Sequence, residues 1–214
     1  FRFNARSHDR GQKTVLGHSY PTGITRSGEA QGEDAIRMLA RHPQTAHRIS
    51  LRLAQFFVAD QPPPALVEAL TQRFLDSQGD MRQVMRALLA SPEFWRAQNR
   101  LFKTPMDYAC SALAATQGGA DDRKLLLSAQ FLANAGQPVH GWQTPDGYPV
   151  DAATWLAPEA LTRRADFAMA LAKDSGDLDF LIPFMSAATL SAIARERPAL
   201  RNGLLLASPD FMYK

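Results

Sequence analysis

Leu88-Leu89-Ala90-Ser91-Pro92-Glu93-Phe94 is spelled almost unchanged a second time, as Leu205-Leu206-Ala207-Ser208-Pro209-Asp210-Phe211. In each copy an apolar helical face runs into a Ser whose hydroxyl oxygen can accept from free backbone amides, and a Pro follows where a helix needs no N–H. The acidic residue after the Pro suits the positive end of a new helix. Ala40-Arg41-His42-Pro43 is a looser form of the same junction. The phrase therefore predicts a chain of short helices joined at capped corners, and reading outward from it decides the fold class.

Around these corners the apolar spacing is helical. Ala46, Ile49, Leu53, Phe56 and Phe57 form one stripe, Leu66, Val67, Leu70 and Phe74 a second, and Met81, Val84, Met85, Leu88 and Leu89 a third. Gly79 reads as a helix stop and Asp80 as a cap. Thr104-Pro105-Met106-Asp107 approximates a capping box, leading into Met106, Cys110, Leu113 and Ala114. Asp121 or Asp122 caps a helix carrying Leu125, Leu126, Ala129, Leu132 and Ala133, which Gly136 ends. Pro158 opens another with Leu161, Ala165, Ala168 and Met169, and two or three short helices finish the chain. Helices are predicted to begin near Pro43, Pro92, Pro105, Pro158 and Pro209. The expected core is Ile49, Leu53, Phe57, Leu70, Phe74, Met85, Leu88, Leu113, Leu126, Leu132 and Met169.

Residues 1–30 differ. Phe1 and Phe3 alternate, Ser7 to Gly11 reads as a turn, Thr14-Val15 is β-branched, and a Gly, Ser and Thr-rich stretch runs to Gly28. A small two-stranded ribbon followed by a loop is expected, with helix from about residue 33. The predicted fold is all-α, an irregular bundle of about nine short helices, with the ribbon segment at 1–30 and a single helical domain at 31–214.

The totals bound the partners. At 214 residues the chain can bury a sizeable core, and 45% apolar against 21% charged residues is ordinary for a globular protein. The net charge of +3 is scattered rather than gathered into a basic stripe, which argues against a nucleic-acid partner. No apolar run approaches the roughly 18 residues of a membrane span. The single Cys110, expected on a buried face, excludes an internal disulfide and leaves the compartment open. The chain opens at Phe1 with neither an initiator Met nor a signal-like stretch, so a fragment or processed product is expected.

Chemistry-bearing motifs are sparse. Gly11-Gln12-Lys13-Thr14 lacks the upstream Gly of a phosphate loop, and Gly17-His18-Ser19-Tyr20-Pro21 puts Pro where a nucleophile elbow needs a small residue. The five His residues, 8, 18, 42, 47 and 140, show no metal-binding spacing, so neither metal nor cofactor is expected. His8, Asp9 and Lys13 are candidate catalytic groups, since an imidazole beside a carboxylate can serve as a base; the alternative is a polar turn with Asp9 bonding nearby amides. His42 is a weaker candidate, being also a helix-entry residue. Gly136 to Pro149 has no period and carries three Gly and three Pro. In and beside it His140, Trp142, Asp146, Tyr148 and Trp155 are candidate ligand-binding residues, suited to stacking on a sugar or aromatic ring, or else a lid plugged onto the helices by its aromatics.

Phe1-x-Phe3, His8-Asp9, Lys13, Leu16-Gly17, His42-Pro43-x-Thr45-Ala46, Phe57-Val58 with Pro62-Pro63, Ser91-Pro92-Glu93-Phe94-Trp95, Lys103-x-Pro105, Gly136-Gln137-Pro138, and Pro145-x-Gly147 with Trp155 and Arg163 or Arg164 occur in this order. In these residues the chain resembles the C-terminal half of the bacterial domain-of-unknown-function family numbered eighteen hundred, departing from it at Tyr148, where Trp is usual. The resemblance implies a periplasmic or secreted protein. Its implied partners are the N-terminal half absent from this chain or an exported sulfatase-like protein. Two functional expectations follow: a binding or scaffold module of the envelope or extracellular space, and half of a hydrolase acting on a surface polysaccharide or similar polymer through His8 and Asp9.

Overall fold

The structure is a computed structural model that describes residues 2–20, 28–96 and 101–214. Helix makes up 59% of it, and nine α-helices of seven or more residues occur among the described residues, so the chain is all-α. By its internal contacts it divides into two compact units, Phe1–Arg96 and Ala97–Lys214.

The first unit begins with the ribbon. Strands β1 (Lys13–Val15) and β2 (His18–Tyr20) pair antiparallel across Leu16-Gly17. Both turn residues have positive φ, 48° and 79°, the primed geometry that matches the twist of a tight hairpin. Phe1 and most of the Gly, Ser and Thr-rich stretch lie outside the described residues. Helix α1 spans Gly28–Ala40, starting earlier than the apolar period predicts because its first turn is polar. Helices α2 (Pro43–Phe57), α3 (Pro64–Asp76) and α4 (Met81–Ala90) follow. The boundary residues do what their chemistry predicts. His42 caps α2 through Nδ1, which accepts from Gln44 N at 3.2 Å, Gly79 N closes α3 onto Phe74 O at 2.8 Å, and Asp80 Oδ1 accepts from Arg82 N at 2.9 Å.

The second unit contains α5 (Pro105–Ala115), α6 (Asp122–Asn134), the single turn α7 (Ala152–Trp155), α8 (Pro158–Ala172), α9 (Ala187–Ile193) and α10 (Arg201–Ala207). Thr104 and Asp107 form the full capping box at α5. Asp121, rather than Asp122, caps α6. An unforeseen antiparallel bridge pairs Phe102 with Tyr213, with Leu101 and Lys214 exchanging backbone bonds of 3.0 and 2.9 Å. Tyr108 is at the centre of the core: its hydroxyl lies 3.0 Å from Leu206 O and 3.2 Å from Arg164 O, and the Phe131 and Phe167 rings stack beside it at 4.3 Å.

Two expectations are corrected. The Ser-Pro phrases stop helices without starting new ones: Pro92 and Pro209 each enter a single turn. Ser91 Oγ donates to Leu88 O at 2.7 Å and accepts from Phe94 N at 3.3 Å, and Ser208 Oγ repeats this with Leu205 O at 2.8 Å and Phe211 N at 3.2 Å. The buried faces of α2, α5 and α6 are also rotated from those expected, while those of α3 and α4 are as expected. Leu70, Phe74, Leu88 and Leu132 are buried as predicted, and Ile49, Leu53, Met85, Leu113 and Met169 are half-buried, but Phe57 is exposed and Leu126 is 61% exposed. On α2 the inward column is Ala46, Ser50 and Ala54, small residues that let a neighbouring helix approach closely while the large side chains flank the seam. On α5 the inward residues are Tyr108, Ala109 and Ala112, which turns Cys110 outward to the exposed side. The single helical domain expected over 31–214 takes in part of the first of these compact units and the whole of the second.

Candidate functional site

In the first unit the ribbon lies against α1 around a cavity of about 460 Å³. Its walls are the apolar parts of Phe3, Val15, Tyr20, Ala35 and Ile36, with His8, Lys13, Gln31 and the carboxylates Glu29 and Glu33 as the polar groups on the lining. Gln31, the one buried residue of α1, ties the site together. Its amide nitrogen donates to Tyr20 O at 3.2 Å, and its Oε1 lies 3.3 Å from His8 Nε2 and 3.4 Å from Lys13 Nζ. The His8 ring also packs on Phe3 at 5.3 Å. Glycine at the start of helix α1 makes room for the His8 ring, which a Cβ at Gly28 would displace.

His8, Lys13 and the pocket are thus brought together, while Asp9 turns away. Asp9 Oδ1 accepts from Gly11 N at 2.8 Å, and its side chain is 79% exposed. That backbone bond, helped by the nearby Lys13 ammonium, holds its carboxyl below the usual value, so Asp9 stays ionised and is a poor proton donor. Lys13 Nζ folds back onto Asp9 O and onto Gly11 O at 3.1 Å, which closes the turn. The imidazole of His8 is oriented by an amide instead of a carboxylate. His42 spends Nδ1 on its capping bond.

In the second unit the aromatic loop satisfies its own polar groups. Trp142 Nε1 donates to Asp146 Oδ1 at 3.0 Å, Thr144 Oγ1 donates to the same oxygen, and Tyr148 Oη donates to Pro138 O at 2.6 Å. The Trp142 and Tyr148 rings pack at 4.8 Å. Trp155 is a buried core residue with Nε1 donated to Pro149 O at 3.1 Å, and His140 stands exposed in a left-handed backbone conformation. The loop is self-bonded, and residues 139–147, Trp142 among them, are exposed. Among the described residues no group of three or more His, Cys, Asp or Glu could hold a metal ion.

The family model described as a protein of unknown function, DUF1800, matches residues 1–213. The chain belongs to this family. No curated protein and no solved structure matches it.

Several residues that carry the DUF1800 resemblance meet inside the second unit. Gln137 Oε1 accepts from Met106 N at 2.7 Å, joining Gly136-Gln137-Pro138 to the start of α5. Arg164 Nη2 donates to Lys103 O at 2.7 Å, joining α8 to Lys103-x-Pro105. Sequence reasoning passed over Gln31, Lys103 and Arg164 as functional groups. Gln31 carries no signal, being a polar residue in a polar turn of helix. Arg164 carries one: a cation at the inward position of α8, in register with Phe167, Ala168 and Leu171.

Proposed function

We propose that this DUF1800 chain is a binding module, and that its ligand occupies the cavity between the ribbon and α1 in the first unit. The cavity itself carries the reading. At about 460 Å³ it falls within the size range of small-molecule sites, and its few polar groups against apolar walls are the composition such sites use. A ligand with an apolar or aromatic body and one hydrogen-bond-accepting group, turned toward His8 and Lys13, fits that chemistry. The resemblance to exported proteins supports a setting outside the cytoplasm, as part of the same proposal. No helix among the described residues is long and apolar enough to cross a membrane. The hydrolase alternative has less support, since the carboxylate it pairs with His8, Asp9, bonds Gly11 instead and the imidazole has only the neutral Gln31 amide beside it.

Titration with phenylacetate and octanoate, an aromatic and an aliphatic carboxylate, tests this by amide NMR. Resonances of Val15, Tyr20 and Ile36 should move with at least one probe. The movement should vanish in Gly28→Val, whose side chain would enter the His8 position, and in Ile36→Glu. Unmoved resonances with both probes, or equal movement in both variants, would overturn the proposal.

A further inference from the structure

The second unit buries two cations that make no direct ion pair and share one nearby carboxylate, Asp107, with a third cation. Arg164 is 1% exposed, its guanidinium carbon 4.5 Å from the Phe102 ring centre and 5.0 Å from that of Tyr108. Nη2 reaches Lys103 O, but Nη1 is buried with no hydrogen-bond partner. Lys103 is 8% exposed, and its ammonium stands 4.0 Å over the Phe211 ring. Neither residue forms an ion pair among the described residues. The nearby carboxylate, Asp107, is committed elsewhere: Oδ2 takes Lys214 Nζ at 2.7 Å, Thr104 Oγ1 at 3.0 Å and Thr104 N at 3.3 Å. Three cations, Lys103, Arg164 and Lys214, therefore gather around one carboxylate.

Buried charges are ordinarily paired, and a buried donor left without an acceptor is costly. Aromatic faces offset part of the charge but accept no N–H in the plane of the guanidinium. We infer that Lys103 and Arg164 form an anion site that takes a carboxylate or a small oxyanion, with Arg164 Nη1 as the waiting donor and Lys103 as the second charge. Arg suits such a group because its fork of N–H donors matches two oxygens of one anion. The electrostatics agree: burial pushes Lys103 down to about 8 and Arg164 down to about 10, the direction an anion would reverse. This site lies wholly in the second unit and does not depend on the cavity beside His8.

The test uses the full chain in a zwitterionic buffer of fixed ionic strength, titrated with inorganic phosphate and, separately, with acetate. The Arg164 side-chain Nε–H resonance should shift saturably with at least one of them, and the melting temperature should rise with the same anion. A response to acetate alone marks a carboxylate site, and a response to phosphate alone marks a phosphate or phosphoester site. Lys103→Met should weaken the binding about tenfold, the scale of one charge-assisted contact, and Lys103→Arg should restore it. A stationary Arg164 resonance with both anions overturns the inference, as does a melting temperature that rises equally with every salt. Because the resonance is read in the unaltered protein, the result stands even if a variant fails to fold.

Discussion

Lys103 shows how one residue can be ordinary in sequence and unusual in place. Its backbone pairs with Met212 through an N–H to O bond of 2.8 Å, which carries the side chain inward over Phe211. Burial is the main cause of its lowered value of about 8, against an ordinary value of 10.5, with Lys214 and Arg164 pushing the same way and Asp107 opposing. Between these values the unfolded chain still holds the proton that the folded chain has released. Stability therefore rises with pH across that window and is flat below it. In phosphate-free buffer the melting temperature of the parent, taken relative to Lys103→Met, is expected to climb between about pH 8 and about pH 10. Parallel curves for the two proteins would mean that the ammonium is solvated in the folded state. The reverse lesson comes from Asp9, conspicuous beside His8 in sequence yet consumed by the amide two residues on.

At the scale of elements, the repeated Leu-Leu-Ala-Ser-Pro phrase is a helix stop used once in each unit. Ser closes the last turn by donating backward and holds the next turn by accepting forward, and Pro prevents the helix from continuing. The two copies differ in surroundings. Ser208 is buried, and Asp210 beyond it accepts from Ser186 N at 2.9 Å and Ser186 Oγ at 2.8 Å, pinning the start of α9. Ser91 is half-buried. Ser208→Ala should cost about 1–3 kcal/mol, because two side-chain hydrogen bonds are lost at a buried site while Phe211 N keeps only its 3.1 Å bond to Ser208 O, whereas Ser91→Ala should cost about 0.5–1.5 kcal/mol. Urea titrations of both variants check the order, and equal or negligible losses would show that Pro alone makes the stop. The close seam of α8 on α10 has a comparable local cause: a Cβ at Gly203 would collide with Met169 Sδ and stand 3.2 Å from Met169 Cα.

For the whole molecule the relevant quantity is the number of cores. One cluster joins Ala46, Ala54, Leu70, Phe74, Val84 and Leu88 in the first unit, and a larger one surrounds Tyr108, Phe131, Phe167, Leu205 and Phe211 in the second. The second unit also ties its own ends through the Leu101 and Lys214 backbone bonds. A chain with its own core and joined ends meets the physical requirements for independent folding. Residues 101–214 expressed alone should therefore be helical by circular dichroism and melt in one cooperative step. A fragment without structure would favour the single helical domain over 31–214 that the sequence predicts.

The sequence by itself determined the fold class, several helix boundaries and the presence of a small N-terminal ribbon, because these depend on local rules: a 3.6-residue period, Pro at a first turn, and Asp80 and Thr104 as caps; the ribbon's turn, read at Ser7 to Gly11, is instead the positive-φ pair Leu16-Gly17. Stripes of large apolar residues placed the helices and gave the buried faces of α3 and α4, but misjudged those of α2 and α5. On α2 and α5 the seam is made of small residues, and closeness of approach is a property of pairs of helices that no single helix displays. The candidate sites divide along the same line. His8 and Lys13 were legible as a cluster because they are near in sequence. Gln31 joining them, and Arg164 meeting Lys103 across 61 positions, are contacts between distant segments. Only the tertiary structure decided those, since burial and the partner a charge is given are set by what packs around it.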